Sequence, residues 1–492
     1  MYKIAIIGSG FSGISAAAYL SKMGYEVHVF EKNDQLGGRA SIIITDSGYI
    51  FDKGPSWYWM PDVFEQFFTD FGANIADYYD LKLLNPSFEI YYGENDKLSV
   101  PENFESLCDL FESIEVGSSL KLKKFLSDAA YKYKVGMQDL IYKPCDSIFE
   151  FCNLKTLKGI FTTQIFTSFS KEVRSYFKNP KLIALMEFPV LFLGAMPQET
   201  PALYSLMNYA GLKLGTWYPM GGFSKVVDGM VAIAKKNGTH FHTNSSISKI
   251  NSIGDQVNSI IVNGEEQKFD IVVGSADYHH IEEKLLDKEV KNYNSEYWET
   301  KTFAPSCLIF YIGVNKKIEN LQHHTLFFDE DLYQHSIEIY KNPTWPSKPL
   351  FYVCCPSVTD NSVAPDGHEN LFFLMPLAPN VVDNEQNREK YFDVMVNRFE
   401  KLVGTTIKEN IDYKQSYCVN DFKQDYNSYK GNAYGLANTL MQTAILKPKL
   451  RNKKLKNLFY AGQLTVPGPG VPPALISGKI VSNLISQQFK MN

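Results

Sequence analysis

A cluster of glycines near the start of the chain has the spacing of a phosphate-binding turn. The cluster follows an apolar, β-branched segment, 2–7, and precedes a helix-compatible stretch, 12–22. Its first glycine permits a tight turn, its second lets the backbone approach a pyrophosphate, and its third lets helix and strand pack closely. The N-terminus of the helix offers unpaired N–H groups to the anion. We therefore predict a dinucleotide site that includes Gly8, Gly10, Phe11, Ser12 and Gly13.

A carboxylate and a glycine doublet follow the glycine cluster at sequence spacings typical of a dinucleotide site. Glu31 comes directly after a second apolar strand, 26–30, at about the 20-residue spacing expected of an acid that accepts from a ribose hydroxyl. Such an acid disfavours a 2′-phosphate, so an NADP site is not expected. The run Gly37-Gly38-Arg39 is more typical of FAD enzymes than of NAD dehydrogenases. The alternative for the glycine motif is a glycine-rich turn in an unrelated α/β protein. The alternative for Arg39 is a solvated charge on the surface.

The elements that must position these residues alternate with long segments of a different character. Strand and helix patterns typical of a nucleotide-binding sheet open the chain, return in a helix at 223–236 and a buried strand at 270–277, and return again at 458–462. The intervening segments are aromatic and mixed. We predict an α/β fold in which a Rossmann-like domain is interleaved with an α+β domain. The predicted boundaries are 1–80, 211–290 and 441–492 for the nucleotide-binding domain and 81–210 and 291–440 for the substrate-binding domain.

Length, charge and cysteine usage narrow the class of protein. At 492 residues the chain exceeds one typical core, so two domains are expected. The net charge of -5 argues against a general nucleic-acid binder, and no nucleic-acid partner is predicted. The seven cysteines form no CxxC motif and are interpreted as reduced thiols of a cytoplasmic protein. We find no convincing targeting segment and no uncharged apolar run of the roughly 20 residues that a spanning helix needs.

The histidines offer no recognisable metal motif. Two adjacent pairs occur, His279-His280 and His323-His324, but neighbouring side chains are expected to point apart and no HExxH sequence is present. We therefore predict no metal site.

Taken together, these segments resemble the bacterial-type phytoene desaturases, which are FAD-dependent carotenoid oxidoreductases within the wider flavin amine oxidase-like group. The resemblance spans nearly the whole chain. It is carried by the segments 8–39, 51–56, 217–222, 270–277 and 460–478, of which the last is the most specific.

The resemblance implies FAD as the cofactor and assigns it further contacts. The N-terminal glycines and Glu31 would hold the ADP half, Arg39 would approach the pyrophosphate and flavin, and Ile247 would give backbone contacts to adenine. Pro55 would abut the flavin, and the C-terminal segment would line the ribityl chain and isoalloxazine. The residues assigned through the resemblance are Gly38, Arg39, Pro55, Ile247, Gly462, Gly470 and Val471.

The chain departs from the family pattern at two points. Some relatives have an acid just after the glycine of the C-terminal segment, where this chain has Gln463. No unambiguous motif around Arg174 or Glu187 accepts the acid–base pair proposed for the substrate domain of relatives. Catalytic residues are therefore left unassigned.

The activity implied is desaturation of phytoene towards lycopene, with a hydride passing to the flavin. No second GxGxxG is present, so reoxidation is expected to use a quinone or oxygen. A C40 polyene is almost insoluble in water, so peripheral association with a membrane surface is expected. The amphipathic stretch 149–177 is one candidate for this contact, and a buried helix with a basic edge is the equal alternative.

Three other activities stay open. The first is a sister desaturase that acts on another carotenoid or on dehydrosqualene. The second is a flavin-dependent polyene cis–trans isomerase without net oxidation. The third is a flavin-dependent scaffold that carries isoprenoids between enzymes.

Overall fold

The computed structural model describes residues 1–147, 150, 167–439 and 441–490. Within these ranges the strands are β1 (Lys3–Ile7), β2 (Glu26–Phe30), β3 (Ile42–Ile44), β4 (Ile50–Asp52), β5 (Leu81–Leu83), β6 (Phe88–Gly93), β7 (Asp96–Val100), β8 (Trp217–Pro219), β9 (His240–His242), β10 (Ile247–Ile253), β11 (Gln256–Val262), β12 (Glu265–Lys268), β13 (Ile271–Gly274), β14 (Ser306–Val314), β15 (His324–Phe327), β16 (Phe351–Cys354), β17 (Glu369–Leu377), β18 (Ile411–Tyr417) and β19 (Leu458–Tyr460). The helices in the same ranges are α1 (Phe11–Lys22), α2 (Pro61–Asp70), α3 (Phe104–Ile114), α4 (Ser118–Val135), α5 (Phe169–Tyr176), α6 (Pro180–Glu187), α7 (Leu206–Leu212), α8 (Phe223–Lys236), α9 (Tyr278–His280), α10 (Ser295–Glu299), α11 (Leu332–Tyr340), α12 (Glu385–Val403), α13 (Val419–Tyr426) and α14 (Val471–Gln488).

A five-stranded parallel sheet forms the nucleotide-binding side of the molecule. Its order is β19-β13-β1-β2-β9, so β1 lies in the middle and Ile4 pairs with Ile271 on one side and Val27 on the other. Most side chains of β1 and β13 are buried, as expected of parallel strands that are covered on both faces. The α/β architecture predicted from the sequence is confirmed.

The first and last helices of the chain pack directly against each other. Ser15 donates to the carbonyl of Leu475 at 2.7 Å. A Cβ at Gly478 would lie 2.4 Å from the carbonyl oxygen of Ser12, so only glycine permits this approach of α14 to α1. The two ends of the chain therefore build one layer over the sheet.

A seven-stranded mixed sheet forms the second large unit. Its order is β18-β14-β17-β16-β15-β6-β7, in which β15 and β6 are parallel and the other neighbours antiparallel. Every residue of β14 is buried. Helix α12 contributes Tyr391, Met395 and Phe399 to the same core.

The two sheets draw on different stretches of the chain. The parallel strands all come from the three segments predicted for the nucleotide-binding domain, and the seven-stranded sheet draws on the other two. The small sheet of β5 and β8 pairs strands from both sides of the predicted division. We retain the domain boundaries as a proposal on this basis.

One local expectation from the sequence is wrong. The rings of His323 and His324 do not point apart, since their centroids lie 4.5 Å from each other. His323 precedes the first residue of β15, so strand alternation does not act on it.

Candidate functional site

One cavity of about 440 Å³ opens at the carboxyl ends of the parallel strands. This volume lies within the roughly 300–1,000 Å³ typical of ligand sites, and the strand ends are where ligands bind in open α/β sheets. The seven-stranded sheet supplies the opposite side of the cavity. The predicted site residues that line it are Gly8, Gly10, Phe11, Ser12, Glu31, Gly38, Arg39, Pro55, Ile247, Gly462, Gly470 and Val471.

The glycine turn has the geometry of a phosphate cradle. Gly8 has a φ of +98°, and its N–H donates to the carbonyl of Phe30 at 2.8 Å, which ties the turn to β2. A Cβ at Gly10 would meet no described heavy atom within 4 Å, so the backbone here faces open space. Such a surface lets a pyrophosphate come close to the N-terminus of α1.

Gly13 does not line the cavity. A Cβ at this position would lie 2.1 Å from the carbonyl oxygen of Gly8, a distance that no side chain can occupy. The third glycine therefore acts through the close packing of α1 against the turn.

Glu31 is held in place by its neighbours. Its Oε2 accepts from the backbone N–H of Ser9 at 3.0 Å and from the Ser9 hydroxyl at 2.8 Å, and its Oε1 accepts from the N–H of Asn33 at 3.0 Å. A carboxylate offers about four lone-pair sites, so both oxygens retain acceptor capacity. The side chain is 6% exposed and lines the cavity, which suits an acceptor for ribose hydroxyls.

Arg39 is a half-buried cation that lines the cavity. Its Nη2 donates to Ser428 Oγ at 3.2 Å and its guanidinium lies 4.9 Å from the centroid of the Tyr426 ring. Its Nε is buried and has no hydrogen-bond partner among the described residues. Burial lowers the pKa of Arg39. An unsatisfied donor on this guanidinium fits a phosphate or a flavin carbonyl oxygen.

Gln463 completes the surroundings of this arginine. With its amide oxygen turned towards the guanidinium, Gln463 accepts from Arg39 Nη2 at 3.0 Å and from Nη1 at 3.3 Å. Where some relatives have an acidic residue, this chain therefore places a neutral acceptor, Gln463, in contact with Arg39.

The C-terminal segment forms the facing wall. Gly462 has a φ of +115°, and a Cβ there would lie 3.3 Å from Ser12 Oγ, so this wall touches the N-terminal turn. Gly470 has a φ of +110° and precedes Val471, the first residue of α14. The two residues after Val471 are prolines, which lack N–H groups, so Val471 supplies the one backbone N–H among the first three positions of α14.

A carboxyl group lies close to Arg39. Asp277 accepts from the N–H of His280 at 3.1 Å and from the N–H of Tyr429 at 3.3 Å. Burial raises the pKa of Asp277 to about 6, and the nearby Arg39 opposes this rise. The sequence placed Asp277 at the end of a strand but gave it no role.

The cavity continues from these polar groups into an apolar, aromatic end. Trp57 contacts Trp59 edge to face with centroids 5.3 Å apart, and Phe188 packs near both. Further apolar residues of this end are Met60, Leu191, Met207, Leu326, Phe328, Leu332, Ile339, Leu350 and Leu374. The sequence did not identify these residues, because their segments meet only in the folded chain.

Two polar side chains at the apolar end, His335 and Ser336, are hydrogen-bonded within the protein. His335 Nε2 lies 3.0 Å from the carbonyl of Pro376, and its Nδ1 accepts from the N–H of Leu350 at 3.1 Å. Burial lowers the pKa of His335 to about 4, so this ring is neutral. Ser336 donates to the carbonyl of Leu332 at 2.8 Å. This end therefore suits a hydrocarbon.

Arg174 and Glu187 lie away from the cavity. Arg174 Nε is 3.3 Å from Glu187 Oε1, which also accepts from Ser170 at 2.7 Å. Neither side chain lines the site. Most of the amphipathic stretch 149–177 predicted for membrane contact, namely residues 149 and 151–166, lies outside the described residues.

Comparison with known proteins places this geometry in a family. The family model described as flavin-containing amine oxidoreductase matches residues 11–486. The chain belongs to this family. The carotenoid 3,4-desaturase of Haloarcula japonica is 38% identical over 477 residues, which cover 97% of this chain and 96% of that protein. The 4,4'-diapophytoene desaturase (4,4'-diaponeurosporene-forming) of Staphylococcus haemolyticus is 30% identical over 498 residues, with 99% of both chains covered.

Two solved structures share the fold. An oxidoreductase from Methanosarcina mazei superposes with a TM-score of 0.63 at 17% identity, covering 98% of this chain and 100% of that one. Cyclohexylamine oxidase from Brevibacterium oxydans superposes with a TM-score of 0.62 at 14% identity, with both chains fully covered.

FAD is the cofactor of this flavin-containing oxidoreductase. The residues present fit the group. The open backbone at Gly10 and the unsatisfied Nε of Arg39 suit a pyrophosphate, and the held carboxylate of Glu31 suits a ribose. The chain is an FAD-dependent oxidoreductase that acts on CH–CH groups, and its predicted cofactor-binding residues are retained as a proposal.

Proposed function

We propose that the protein is a carotenoid desaturase that introduces conjugated double bonds into phytoene, towards lycopene. The observation that carries this proposal is a cavity whose lining joins nucleotide-type residues to an apolar, aromatic end. Both desaturase relatives, which match nearly the whole chain, support a polyene substrate. The internal pairing of His335 and Ser336 favours a substrate without polar groups.

The bound flavin supplies the acceptor for the hydride that leaves the substrate. The residues of this chain exclude water and orient the polyene. The aromatic faces of Trp57 and Tyr352 line the cavity and favour positive charge that develops on the substrate. Burial by these side chains also keeps the reacting C–H bond in one place, which lowers the entropic part of the barrier.

The electrons must leave the site by a route other than a second nucleotide domain. We propose a quinone or oxygen as the final acceptor, because the chain contains one glycine motif of the dinucleotide type. A membrane surface would hold both a quinone and a C40 substrate. Within the described ranges every helix is too short or too polar to pass through a lipid bilayer. On the basis of the poor solubility of a C40 substrate in water, we propose peripheral association with the cytoplasmic face of a membrane.

A second candidate substrate is a carotenoid that has already been modified near one end. The 38% identity to a carotenoid 3,4-desaturase favours it. Both candidates use the same chemistry and differ in which bond of the polyene reaches the cofactor.

Expression in carotenoid-accumulating hosts tests the proposal. One host accumulates phytoene, a second accumulates diapophytoene and a third accumulates an end-modified carotenoid. A red shift in the absorbance of the pigment extract from the first host supports phytoene desaturation. A red shift in only one of the other hosts indicates that the carotenoid of that host is the substrate. Altered geometry at unchanged chromophore length supports an isomerase, and no change in any host supports a scaffold. The Gly10→Val variant, expected to lack FAD, is the matched negative control.

A further inference from the structure

A buried cluster of metal-ligand side chains lies behind one wall of the cavity. One ligand atom each from His323, His324 and Cys354 lies within 4.8 Å of the others. The three residues are 3%, 0% and 2% exposed. No part of the proposed desaturation uses them.

The sheet register brings the three residues together. His324 in β15 pairs directly with Cys354 in β16, so their side chains share one face of the antiparallel pair. His323 joins them from the residue before β15, and its backbone carbonyl accepts from the N–H of Cys355 at 2.8 Å. The cluster therefore rests on a rigid, hydrogen-bonded ladder rather than on a loop.

Each imidazole is anchored through one ring nitrogen and leaves the other free. His323 Nδ1 lies 2.8 Å from Thr359 Oγ1, and His324 Nδ1 lies 2.6 Å from the hydroxyl of Tyr352. The Nε2 atoms of both rings are buried and have no hydrogen-bond partner among the described residues. Metal-binding histidines are typically oriented in this way by a partner on the second nitrogen.

Tyr352 links two members of the cluster. Its hydroxyl lies 2.6 Å from His324 Nδ1, hydrogen-bonds the Cys354 thiol and donates to Ser56 Oγ at 3.0 Å. The same tyrosine therefore holds one imidazole and the thiol next to each other.

We propose that His323, His324 and Cys354 bind a thiophilic metal ion, Cu⁺ or Zn²⁺. Two imidazoles and a thiolate are ligands that suit both ions. Tetrahedral ligands on Zn²⁺ are roughly 3.3–3.8 Å apart, given bonds of about 2.0–2.3 Å, so binding requires the three side chains to move closer together. Binding replaces the thiol proton of Cys354, and one proton is released for each ion bound.

The ion would reinforce the wall of the cavity. Trp57 stacks on His324 with centroids 4.2 Å apart and a 9° angle between the rings, and Tyr352 holds the same imidazole. Both residues line the cavity. A metal site here thus fixes two aromatic side chains from behind, without touching the cavity itself.

Metal analysis of the FAD-loaded protein tests the proposal. Protein treated with a chelator is dialysed against Zn²⁺, or against Cu⁺ without oxygen, and metal and flavin are counted per chain. We expect one ion per chain, a higher melting temperature, and a sulfur neighbour of Zn²⁺ at about 2.3 Å in X-ray absorption. The ion that the purified protein already carries identifies which of the two is bound.

Cys354→Ser is the test variant, and Cys355→Ser is its matched control. Cys355 is also buried but contacts Ser357 and Glu369 instead. We expect Cys354→Ser to weaken metal binding by at least about tenfold, with wild-type binding by Cys355→Ser and unchanged flavin in both. Should Cys354→Ser not fold, His323→Gln replaces it. The proposal is overturned if the wild type binds no stoichiometric metal, or if Cys354→Ser binds it equally well. Flavin content separates this failure from failure of the proposed function.

Discussion

Gly10 and Gly13 lie three residues apart in one turn, yet substitution should damage the protein in different ways. The space beside Gly10 is open, so Gly10→Val should fold and lose FAD because its side chain occupies the phosphate position. Flavin absorbance per chain measures the loss, and circular dichroism checks the fold. A yellow Gly10→Val protein with full flavin occupancy would contradict the placement of the cofactor.

Gly13→Ala should instead destabilise the fold. Its methyl group would lie 2.1 Å from the carbonyl oxygen of Gly8, which belongs to the backbone and cannot move away alone. Overpacking of this kind costs about 1–3 kcal/mol or more. Thermal melting in the presence of excess FAD should show a lowered transition, and an unchanged transition would refute the packing role.

Arg39 should contribute to cofactor affinity through its unsatisfied donor. Arg39→Gln removes the charge and the buried Nε, and we expect FAD to bind about 10–100-fold more weakly, which corresponds to about 1.5–3 kcal/mol. Arg39→Lys keeps the charge without the planar fork and should give an intermediate loss. Fluorescence titration of apoprotein with FAD measures both constants, and equal affinity in all three proteins would exclude the contact.

The site residues that sequence could predict are those whose roles are local. Gly8, Gly10 and Glu31 follow from spacing within one strand–helix–strand unit. Tyr426 contacts Arg39 from almost 400 residues away, and only the folded chain shows this. Sequence could not predict the contact between His324 and Cys354 either, because the register of β15 and β16 brings them together.

At the scale of elements, Asp52 links a small hairpin to a helix of the nucleotide-binding side. Both of its carboxylate oxygens accept from the N–H of Phe223, at 2.9 and 3.1 Å, at the start of α8. The preceding Gly222 leaves room for this contact, since a Cβ there would lie 2.9 Å from Asp52. The helix bounds 223–236 predicted from the sequence are confirmed, but the cap comes from a distant strand that no local pattern reveals.

This cap predicts a pH dependence of stability. Burial raises the pKa of Asp52 from 3.8 to about 7. Its contribution is fully present below about pH 4 and is lost as the pH rises through about 7, because the folded state then holds a buried charge. Between about pH 4 and pH 7, the free energy of unfolding should fall less for Asp52→Asn than for the wild type, because the amide does not ionise. Asp52→Ala should lower the free energy of unfolding by about 1 kcal/mol at pH 5. Denaturant titrations from pH 4 to 8 measure both, and parallel curves for Asp52→Asn and wild type would refute the assignment.

At the scale of the whole molecule, the proposed membrane contact can be tested without knowledge of its structure. Phe161 and Phe166 lie in the predicted amphipathic stretch, outside the described residues. The double variant Phe161→Asp and Phe166→Asp should reduce co-sedimentation with liposomes, because both substitutions put charge on the apolar face.

Ile253→Asp is the matched control for this experiment. Ile253 is 71% exposed at the end of β10, on the nucleotide-binding side, and should leave liposome binding unchanged. Unchanged liposome binding by a folded, yellow double variant would show that another surface makes the membrane contact.

The position of β19 at one edge of the parallel sheet makes the pocket depend on pairing between remote parts of the chain. This strand and α14 lie about 450 residues after the glycine turn, yet they supply Gly462, Gly470 and Val471 to the cavity. Contacts of such large sequence separation cost loop-closure entropy before they stabilise anything, and parallel pairing of this kind is intrinsically slow. Closure of the pocket is therefore expected to be a late event in folding.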